Sequence, residues 1–161
     1  MKKKNIHLLT QAAMIAALYV VLTFIANAFG LANYSVQVRF SEALTILPFF
    51  TPAAIPGLFI GCLISNILTG CAIPDIIFGS LATLIGALGT WKLSGSKNVF
   101  PKNIFPAPLP PILANTIIVP FVLRYAYGIR PLWLSFLTVG AGEIISCGIL
   151  GLLLAFTLNK Y

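Results

Sequence analysis

An uncharged run of 22 residues, from Leu8 to Phe29, limits what this chain can fold into. As an α-helix rising about 1.5 Å per residue, the run is ~33 Å long, which is enough to cross the hydrocarbon core of a bilayer. Only 8% of the residues are charged, whereas a soluble domain carries roughly 25%. We therefore predict an all-α integral membrane protein, with a single membrane domain over residues 1–161.

The first 30 residues also permit a second interpretation, a cleaved signal peptide. Three lysines at positions 2–4 precede the apolar run, and Ala26-Asn27-Ala28 has the small-x-small pattern of a cleavage site. The length of the run favours a first helix that is retained.

Proline, glycine and charged residues divide the chain into apolar segments. Six segments result, at approximately 7–29, 41–50, 52–68, 74–93, 106–125 and 131–158. The second is short, and the third contains Pro56. Interrupted spans of this kind are tolerated where neighbouring protein or a cavity satisfies the freed backbone groups. The pattern predicts a compact six-transmembrane-helix bundle with a binding site.

The distribution of positive charge predicts the orientation of this bundle. With both termini in the cytoplasm, all seven lysines fall on the inner side, and Arg39, Arg124 and Arg130 fall on the outer side. An excess of positive charge inside is the usual pattern for membrane proteins. Because the lysines cluster at the termini and in one loop, the net charge of +7 does not predict nucleic-acid binding.

Polar residues inside apolar segments are costly and usually mark a site or a pathway. The chain has three carboxylates, Glu42, Asp75 and Glu143. On the predicted topology the deeper polar residues are Asn115 and Glu143, and those toward the outer ends of their helices are Arg39, Glu42, Asn66, Asp75, Arg124 and Tyr127. A pocket that is open outside and closed inside would use all of them.

Simpler structural roles stay open for most of these residues. For Asp75 the simpler role is to complement a helix N-terminus, and for Asn66 and Asn115 it is an interhelical hydrogen bond. For Arg124 and Arg130 it is interfacial anchoring. For Arg39 and Glu42 it is an ion pair with each other. Glu143, near the predicted middle of the membrane, is the hardest to explain without a ligand or a partner.

Enzyme motifs are absent from the sequence. It has no nucleophile–base set and no GxxxxGK[ST] phosphate loop, its three cysteines lack CxxC spacing, and its one histidine is His7. We predict no catalytic residues, no metal, no cofactor and no enzyme activity. Binding, with transport energised by other subunits, is the function class that fits.

Small residues recur at four-residue spacing on two segments. Ala12 and Ala16, and Ala13 and Ala17, form AxxxA pairs, while Gly57 and Gly61 form GxxxG. Such faces allow helices to approach closely in lipid. Spacing alone leaves open whether they pack within the bundle or against a partner.

The segments RFSEALT, PAAIPGL, GCLISN and D-x-x-FGSLATL lie between Arg39 and Leu84. With the rest of the chain, they resemble the queuosine-precursor transporter (QueT-type) family, S components of energy-coupling factor (ECF) transporters. The resemblance implies a multi-pass protein of the bacterial cell membrane that captures a queuosine precursor at the outer face. It also implies an ECF transmembrane coupling subunit and two ATPase subunits as partners, docked through Ala12, Ala13, Ala16 and Ala17.

The ligand implied is a 7-deazaguanine, such as queuine or its aminomethyl precursor. Its guanine-like edge offers adjacent N–H donors to a carboxylate, and its carbonyl can accept from Asn or Arg. The predicted substrate-binding residues are Glu42 and Glu143 as acceptors, Asn115, Asn66 and Arg39 as polar partners, Asp75 as a third carboxylate, and Tyr34, Phe40 or Trp133 as stacking partners. The alternatives are an S component for another vitamin, a stand-alone channel, or a membrane-embedded enzyme.

Overall fold

The computed structural model describes residues 2–31, 38–95 and 104–159, and the chain is helical in all three ranges. The α-helices are α1 (Lys2–Ala28), α2 (Ala54–Leu68), α3 (Ile73–Gly95), α4 (Leu109–Tyr127), α5 (Leu132–Glu143) and α6 (Gly151–Asn159). A 3-10 helix, Phe40–Phe49, lies between α1 and α2, and a π-helical segment, Ile144–Leu150, joins α5 to α6. The prediction of an all-α protein is confirmed.

Four helical stretches are long and apolar enough to cross a membrane within the described residues: Asn5–Ala28, Ile73–Ser94, Leu109–Tyr127 and Leu132–Leu158. The two remaining apolar helices, Phe40–Phe49 and Ala54–Leu68, are shorter. At about 2.0 Å per residue for a 3-10 helix and about 1.5 Å for an α-helix, each is roughly 20 Å long. Neither reaches across the ~30 Å hydrocarbon core unaided. Six full spans and cytoplasmic termini therefore stay predictions.

The interior of the bundle holds polar side chains among its apolar ones, and large apolar side chains cover much of its surface. Glu42, Asn66 and Asn115 are each at most 3% exposed, whereas Leu9, Met14 and Leu137 are between 62% and 72% exposed. Large apolar side chains on the outside suit contact with lipid, where exposed polar groups would be unsatisfied. This distribution supports a multi-pass membrane protein.

The 3-10 helix is the central element of the bundle. It packs against α1, α2, α3, α6 and the π segment, and it buries Glu42, Leu44 and Ile46. A 3-10 helix longer than three or four residues is uncommon. Two residues favour it here, because Pro48 has no N–H for an α-helical hydrogen bond and the Thr45 hydroxyl donates to the Glu42 carbonyl at 2.6 Å. A short, proline-containing segment is thus enclosed by protein, as its sequence predicts.

Close contact between α1 and α2 depends on the GxxxG pair of α2. A Cβ atom added at Gly57 would lie 2.7 Å from the Ala12 carbonyl oxygen, and one added at Gly61 would lie 2.8 Å from the Tyr19 Cβ. Both distances are shorter than van der Waals contact, so only glycine permits this separation of the two helices. The close approach fixes the position of Tyr19, which contacts the site described below.

The last helical stretch runs without a break from Leu132 to Asn159, through α5, the π segment and α6. The π segment begins directly after Glu143 and contains Cys147. π-Helical segments, with i→i+5 hydrogen bonds, are rare and occur frequently at functional sites. Glu143 and Cys147 both point into the bundle, at 6% and 1% exposure.

Candidate functional site

A cavity of about 150 Å³ opens at the end of the bundle where α1, α2 and α4 end and α3 begins; we call it the wide cavity. Its polar lining includes Thr23, Arg39, Asn66, Thr69, Asp75 and Tyr127. Thr23 belongs to α1 and Tyr127 to α4, and Arg39 directly precedes the 3-10 helix. The other three lie at the end of α2, in the α2–α3 turn and at the start of α3. The fold therefore brings together three of the residues predicted to bind substrate: Arg39, Asn66 and Asp75.

A second cavity, of about 10 Å³, lies beside the first; we call it the narrow cavity. Its lining includes Arg39, Glu42, Gly79, Thr83, Asn115 and Glu143. Arg39 lines both cavities. The volume of the narrow cavity is about that needed for one water molecule. The two cavities together contain six of the nine predicted substrate-binding residues.

Glu42 is held by two hydrogen-bond donors from different helices. The Tyr19 O–H of α1 donates to Glu42 Oε1, and the Asn115 amide of α4 donates to Glu42 Oε2 at 3.4 Å. Glu42 itself lies on the central 3-10 helix and is only 2% exposed. Buried carboxylates require donors of this kind because burial removes their hydration. The donors also fix the orientation of the carboxylate.

Glu143 faces Glu42 across the narrow cavity. One oxygen of each carboxylate and the Cys147 sulfur all lie within 4.8 Å of one another. The Cys147 thiol donates to Glu143 Oε2 at 3.1 Å. Two carboxylates and a thiol have the chemistry to hold a metal ion. A metal here would have to displace the Cys147 hydrogen bond and compete with the donors on Glu42.

Asp75 links the start of α3 to the end of α4. The Tyr127 O–H donates to Asp75 Oδ2 at 3.2 Å, and the Ala72 backbone N–H donates to the Tyr127 oxygen at 3.0 Å. Asp75 lies in the first turn of α3, where a negative charge complements the helix N-terminus. It also lines the wide cavity and is 4% exposed. The structural role and the binding role are therefore compatible.

Arg39 precedes the 3-10 helix and is half-buried between the carboxylates. Burial alone would lower the pKa of its guanidinium, but nearby negative charges, with Asp75 foremost, raise the pKa by more, so Arg39 stays a cation. None of its nitrogens lies within 4.0 Å of an Asp or Glu oxygen in the described part of the chain. The Arg39–Glu42 ion pair that the spacing permits is therefore not formed.

The structure places the other predicted residues as follows. Asn66 is buried in the wide cavity, where its amide makes a long contact of 3.6 Å with the Cys62 sulfur. Trp133 is 63% exposed and lines neither cavity. Phe40 is half-buried, and Tyr34 lies outside the described residues. Arg124 and Arg130 line neither cavity, which agrees with the interfacial alternative.

Two residues that contact the carboxylates, Tyr19 and Cys147, were not among the predicted site residues. A signal was present for each. Tyr19 is a hydroxyl-bearing residue in the middle of an apolar run, and a buried Tyr O–H usually has a partner. Cys147 follows Glu143 by four residues, a spacing that places two side chains on the same face of a helix. The spacing identifies Glu143 as a neighbour of Cys147. The Glu42 partner of Tyr19 is not identified by the sequence, because that contact depends on how the helices pack.

The AxxxA pairs of α1 have two different environments. Ala12 and Ala16 are buried against Gly57 and Gly61 of α2, so they pack within the bundle. Ala13 and Ala17 are exposed. A groove of about 500 Å³ runs along this side of the bundle, and its largely apolar lining includes Leu8, Leu9, Ala13, Pro52, Pro56 and Ile60.

Three comparisons with known proteins bear on this site. The sequence profile of the family described as "QueT transporter" matches residues 9–160. The "Queuosine precursor transporter QueT" of Lactococcus lactis subsp. cremoris (strain MG1363) is 38% identical over 85 residues, which are 53% of this chain and 50% of that relative. The match thus spans about half the length of the curated relative. No solved structure gives a significant match.

Proposed function

The chain belongs to the QueT transporter family, and we propose that it is the substrate-binding S component of an ECF-type importer. Its ligand would be a queuosine precursor, a 7-deazaguanine such as queuine or its aminomethyl precursor. The name of the L. lactis relative, a queuosine precursor transporter, supports this ligand class. Binding followed by transport, rather than catalysis, is the proposed activity.

The observation that carries this proposal is the meeting of Glu42, Glu143 and Asn115 in one buried cavity. A guanine-like edge presents an N–H and an amino group side by side. A carboxylate accepts two such donors together, in strong charge-assisted hydrogen bonds. The Asn115 amide and the Arg39 guanidinium supply donors for the ring carbonyl. The complementary groups of a deazaguanine edge are therefore all present.

The sizes of the cavities constrain how the ligand would lie. The narrow cavity, at about 10 Å³, is too small for a bicyclic ring. The wide cavity, at about 150 Å³, is adjacent and shares the Arg39 lining. We propose that the ring occupies the wide cavity and directs its donor edge toward Glu42 and Glu143, with Arg39 moving aside as it enters.

Release of the ligand on the other side of the membrane would need energy from outside the chain. The sequence contains no GxxxxGK[ST] loop for ATP. We propose that an ECF coupling subunit, bound to two ATPase subunits, docks on the apolar groove beside α1. Ala12, Ala13 and Ala16 line this groove, and Ala17 is exposed one turn beyond Ala13. These small residues would allow a partner helix to approach closely.

Ligand binding by the isolated chain tests the first part of the proposal. Detergent-purified protein is titrated with queuine and with 7-aminomethyl-7-deazaguanine in a calorimeter, beside guanine and a panel of vitamins. Saturable binding of the deazaguanines alone would support the assignment. Preferential binding of another vitamin by folded protein would overturn it.

Uptake in cells tests the second part. The chain is expressed alone, and then with an ECF coupling subunit and both ATPases, and accumulation of labelled queuine is measured. We expect uptake only with all subunits present and with a functional ATPase. Uptake by the chain alone would favour the stand-alone channel and contradict the S-component assignment.

A further inference from the structure

The charges around the two cavities do not balance. All three carboxylates of the chain, Glu42, Asp75 and Glu143, line one cavity or the other and are at most 6% exposed. Among the described residues that line either cavity, Arg39 is the only cation. With every carboxylate ionised, three negative charges face one positive charge. Buried charges of one sign are costly unless opposite charge compensates them, so this site favours a ligand that brings positive charge.

Acceptor atoms without partners are found in the wide cavity. Asp75 Oδ2 accepts from Tyr127, but Oδ1 accepts no hydrogen bond from the described residues. The Asn66 side chain is 1% exposed, and its one side-chain hydrogen bond among the described residues is the long one from its amide nitrogen to the Cys62 sulfur. The carboxamide oxygen of Asn66 thus also lacks a donor. Neither oxygen belongs to the fully enclosed side-chain atoms without a partner, which in the described residues are Thr116 Oγ1 and Ser146 Oγ. Both acceptors therefore face the space of the wide cavity, where a ligand can supply the missing donor.

Gly79 lies close to Asp75 and Asn66 of the wide cavity and also lines the narrow cavity with its paired carboxylates. A Cβ atom added at Gly79 would lie 3.2 Å from Asp75 Oδ1 and 3.4 Å from the Asn66 amide nitrogen. Gly79 also lines the narrow cavity, together with Glu42 and Glu143. Gly79 therefore lies beside the free oxygen of Asp75 and also lines the cavity of the paired carboxylates.

We propose that Asp75 and Asn66 form a subsite for a positively charged amine carried by the ligand. This inference rests on the proposed function. A substituent at C7 of a deazaguanine lies on the five-membered ring, away from the N1–H and the 2-amino group. With that donor edge at Glu42 and Glu143, the C7 substituent extends into the wide cavity. An ammonium group there donates to Asp75 Oδ1 and to the Asn66 carbonyl.

The subsite makes the protein selective among deazaguanines that differ in the C7 substituent. A 7-aminomethyl group is a cation at neutral pH and satisfies both acceptors. A 7-cyano group is neutral, has no N–H donor, and would place a nitrogen acceptor against two oxygen acceptors. A charge-assisted hydrogen bond contributes about 1.5–3 kcal/mol, which is about 10- to 100-fold in affinity. The aminomethyl compound is therefore expected to bind at least about tenfold more tightly than the cyano compound.

The test compares three probes on the purified full chain: 7-aminomethyl-7-deazaguanine, 7-cyano-7-deazaguanine and unsubstituted 7-deazaguanine. The wild-type protein should bind the aminomethyl probe best. Asp75→Asn keeps an oxygen for the Tyr127 hydrogen bond but removes the charge. In this variant the ratio of aminomethyl to cyano affinity should fall by about tenfold or more.

A comparison variant separates this subsite from the rest of the pocket. Glu42→Gln should weaken all three probes by similar factors, because it acts on the edge that they share. Equal binding of the aminomethyl and cyano probes by the wild-type protein would overturn the subsite and leave deazaguanine binding intact. An Asp75→Asn variant that loses all three probes equally would overturn it as well. Binding of none of the three by folded protein would instead overturn the proposed function, and the subsite with it.

Discussion

One carboxylate oxygen of Glu42 lies within 4.8 Å of one of Glu143, although the two residues belong to different helices. Neither is neutralised by an ion pair within 4.0 Å in the described parts of the chain. Tyr19, Asn115 and Cys147 hold the pair in place with hydrogen bonds. Burying two carboxylates side by side in a membrane protein is unfavourable in free energy. This is the physical reason for assigning the pair to ligand binding.

Replacing either carboxylate by its amide tests that assignment. Glu42→Gln and Glu143→Gln keep the shape of the side chain and remove one charge-assisted acceptor. We expect each to weaken deazaguanine binding by about 10- to 100-fold. Because removing a buried charge often stabilises a protein, the thermal midpoint without ligand should stay the same or rise. Calorimetric titration and thermal unfolding measure the two effects separately.

A suitable control for these variants is Ser65→Ala. Its hydroxyl is buried and donates to the Cys62 carbonyl, but it lines neither cavity. It should change stability without changing affinity. Undiminished binding in both glutamine variants would remove these carboxylates from the site.

Tyr19→Phe tests whether Glu42 depends on its donor for its orientation. The substitution deletes the O–H that donates to Glu42 Oε1 and leaves the ring in place. A hydrogen bond to a charged group contributes about 1.5–3 kcal/mol. We expect lower stability and weaker binding, since Glu42 would keep only the Asn115 donor. A variant that binds as the wild type does would show that Asn115 alone orients the carboxylate.

The contact of α1 with α2 predicts a different outcome for two glycines. At Gly61 an added Cβ atom would be 2.8 Å from the Tyr19 Cβ, and at Gly148 the nearest atom would be 3.8 Å away. Forcing extra volume into a packed core costs about 1–3 kcal/mol. Gly61→Ala should therefore lower the thermal midpoint, whereas Gly148→Ala should leave it unchanged or raise it. Equal effects would contradict the close packing of these helices.

Gly79→Val tests the connection between the two cavities. The new methyl groups would enter the space beside Asp75 Oδ1 and the Asn66 amide. We expect deazaguanine affinity to fall by about tenfold or more, with a smaller loss for Gly79→Ala, because the obstruction grows with side-chain volume. Helix content by circular dichroism checks that the variants are folded. Unchanged affinity in the valine variant would show that the ligand does not pass Gly79.

Bulky residues on the exposed face of α1 test the proposed docking surface. Ala13→Trp and Ala17→Trp should reduce co-purification with the ECF coupling subunit by preventing close helix approach. They should leave ligand binding by the isolated chain unchanged. Leu18→Trp is the matched control, because Leu18 is exposed elsewhere on the same helix. A loss of complex in all three variants alike would contradict a docking surface specific to Ala13 and Ala17.

Much of the architecture follows from the pattern of residues along the chain. The predicted segment at 131–158 is observed as Leu132–Asn159, and the one at 74–93 as Ile73–Gly95. Apolar runs bounded by proline and glycine predict such helices because each helix satisfies its own backbone. The segment at 41–50 is helical as predicted, but its 3-10 form was not foreseen. That form depends on enclosure by five neighbouring elements.

The sequence by itself determined that the protein belongs in a membrane and that it has only three carboxylates, Glu42, Asp75 and Glu143. It also indicated that these carboxylates have a function, because charged groups in apolar segments are unfavourable. The free-energy cost of burying a charged side chain can be inferred from the sequence, because it is unfavourable wherever the helix lies in the membrane. Tertiary structure alone decided which of them meet. It paired Glu42 with Glu143, and it placed Asp75 and Asn66 in one cavity. It also placed Arg39 in the cavity of the two glutamates without an ion pair to either. Those distances depend on helix packing at glycines such as Gly61, which residue spacing along one helix does not encode.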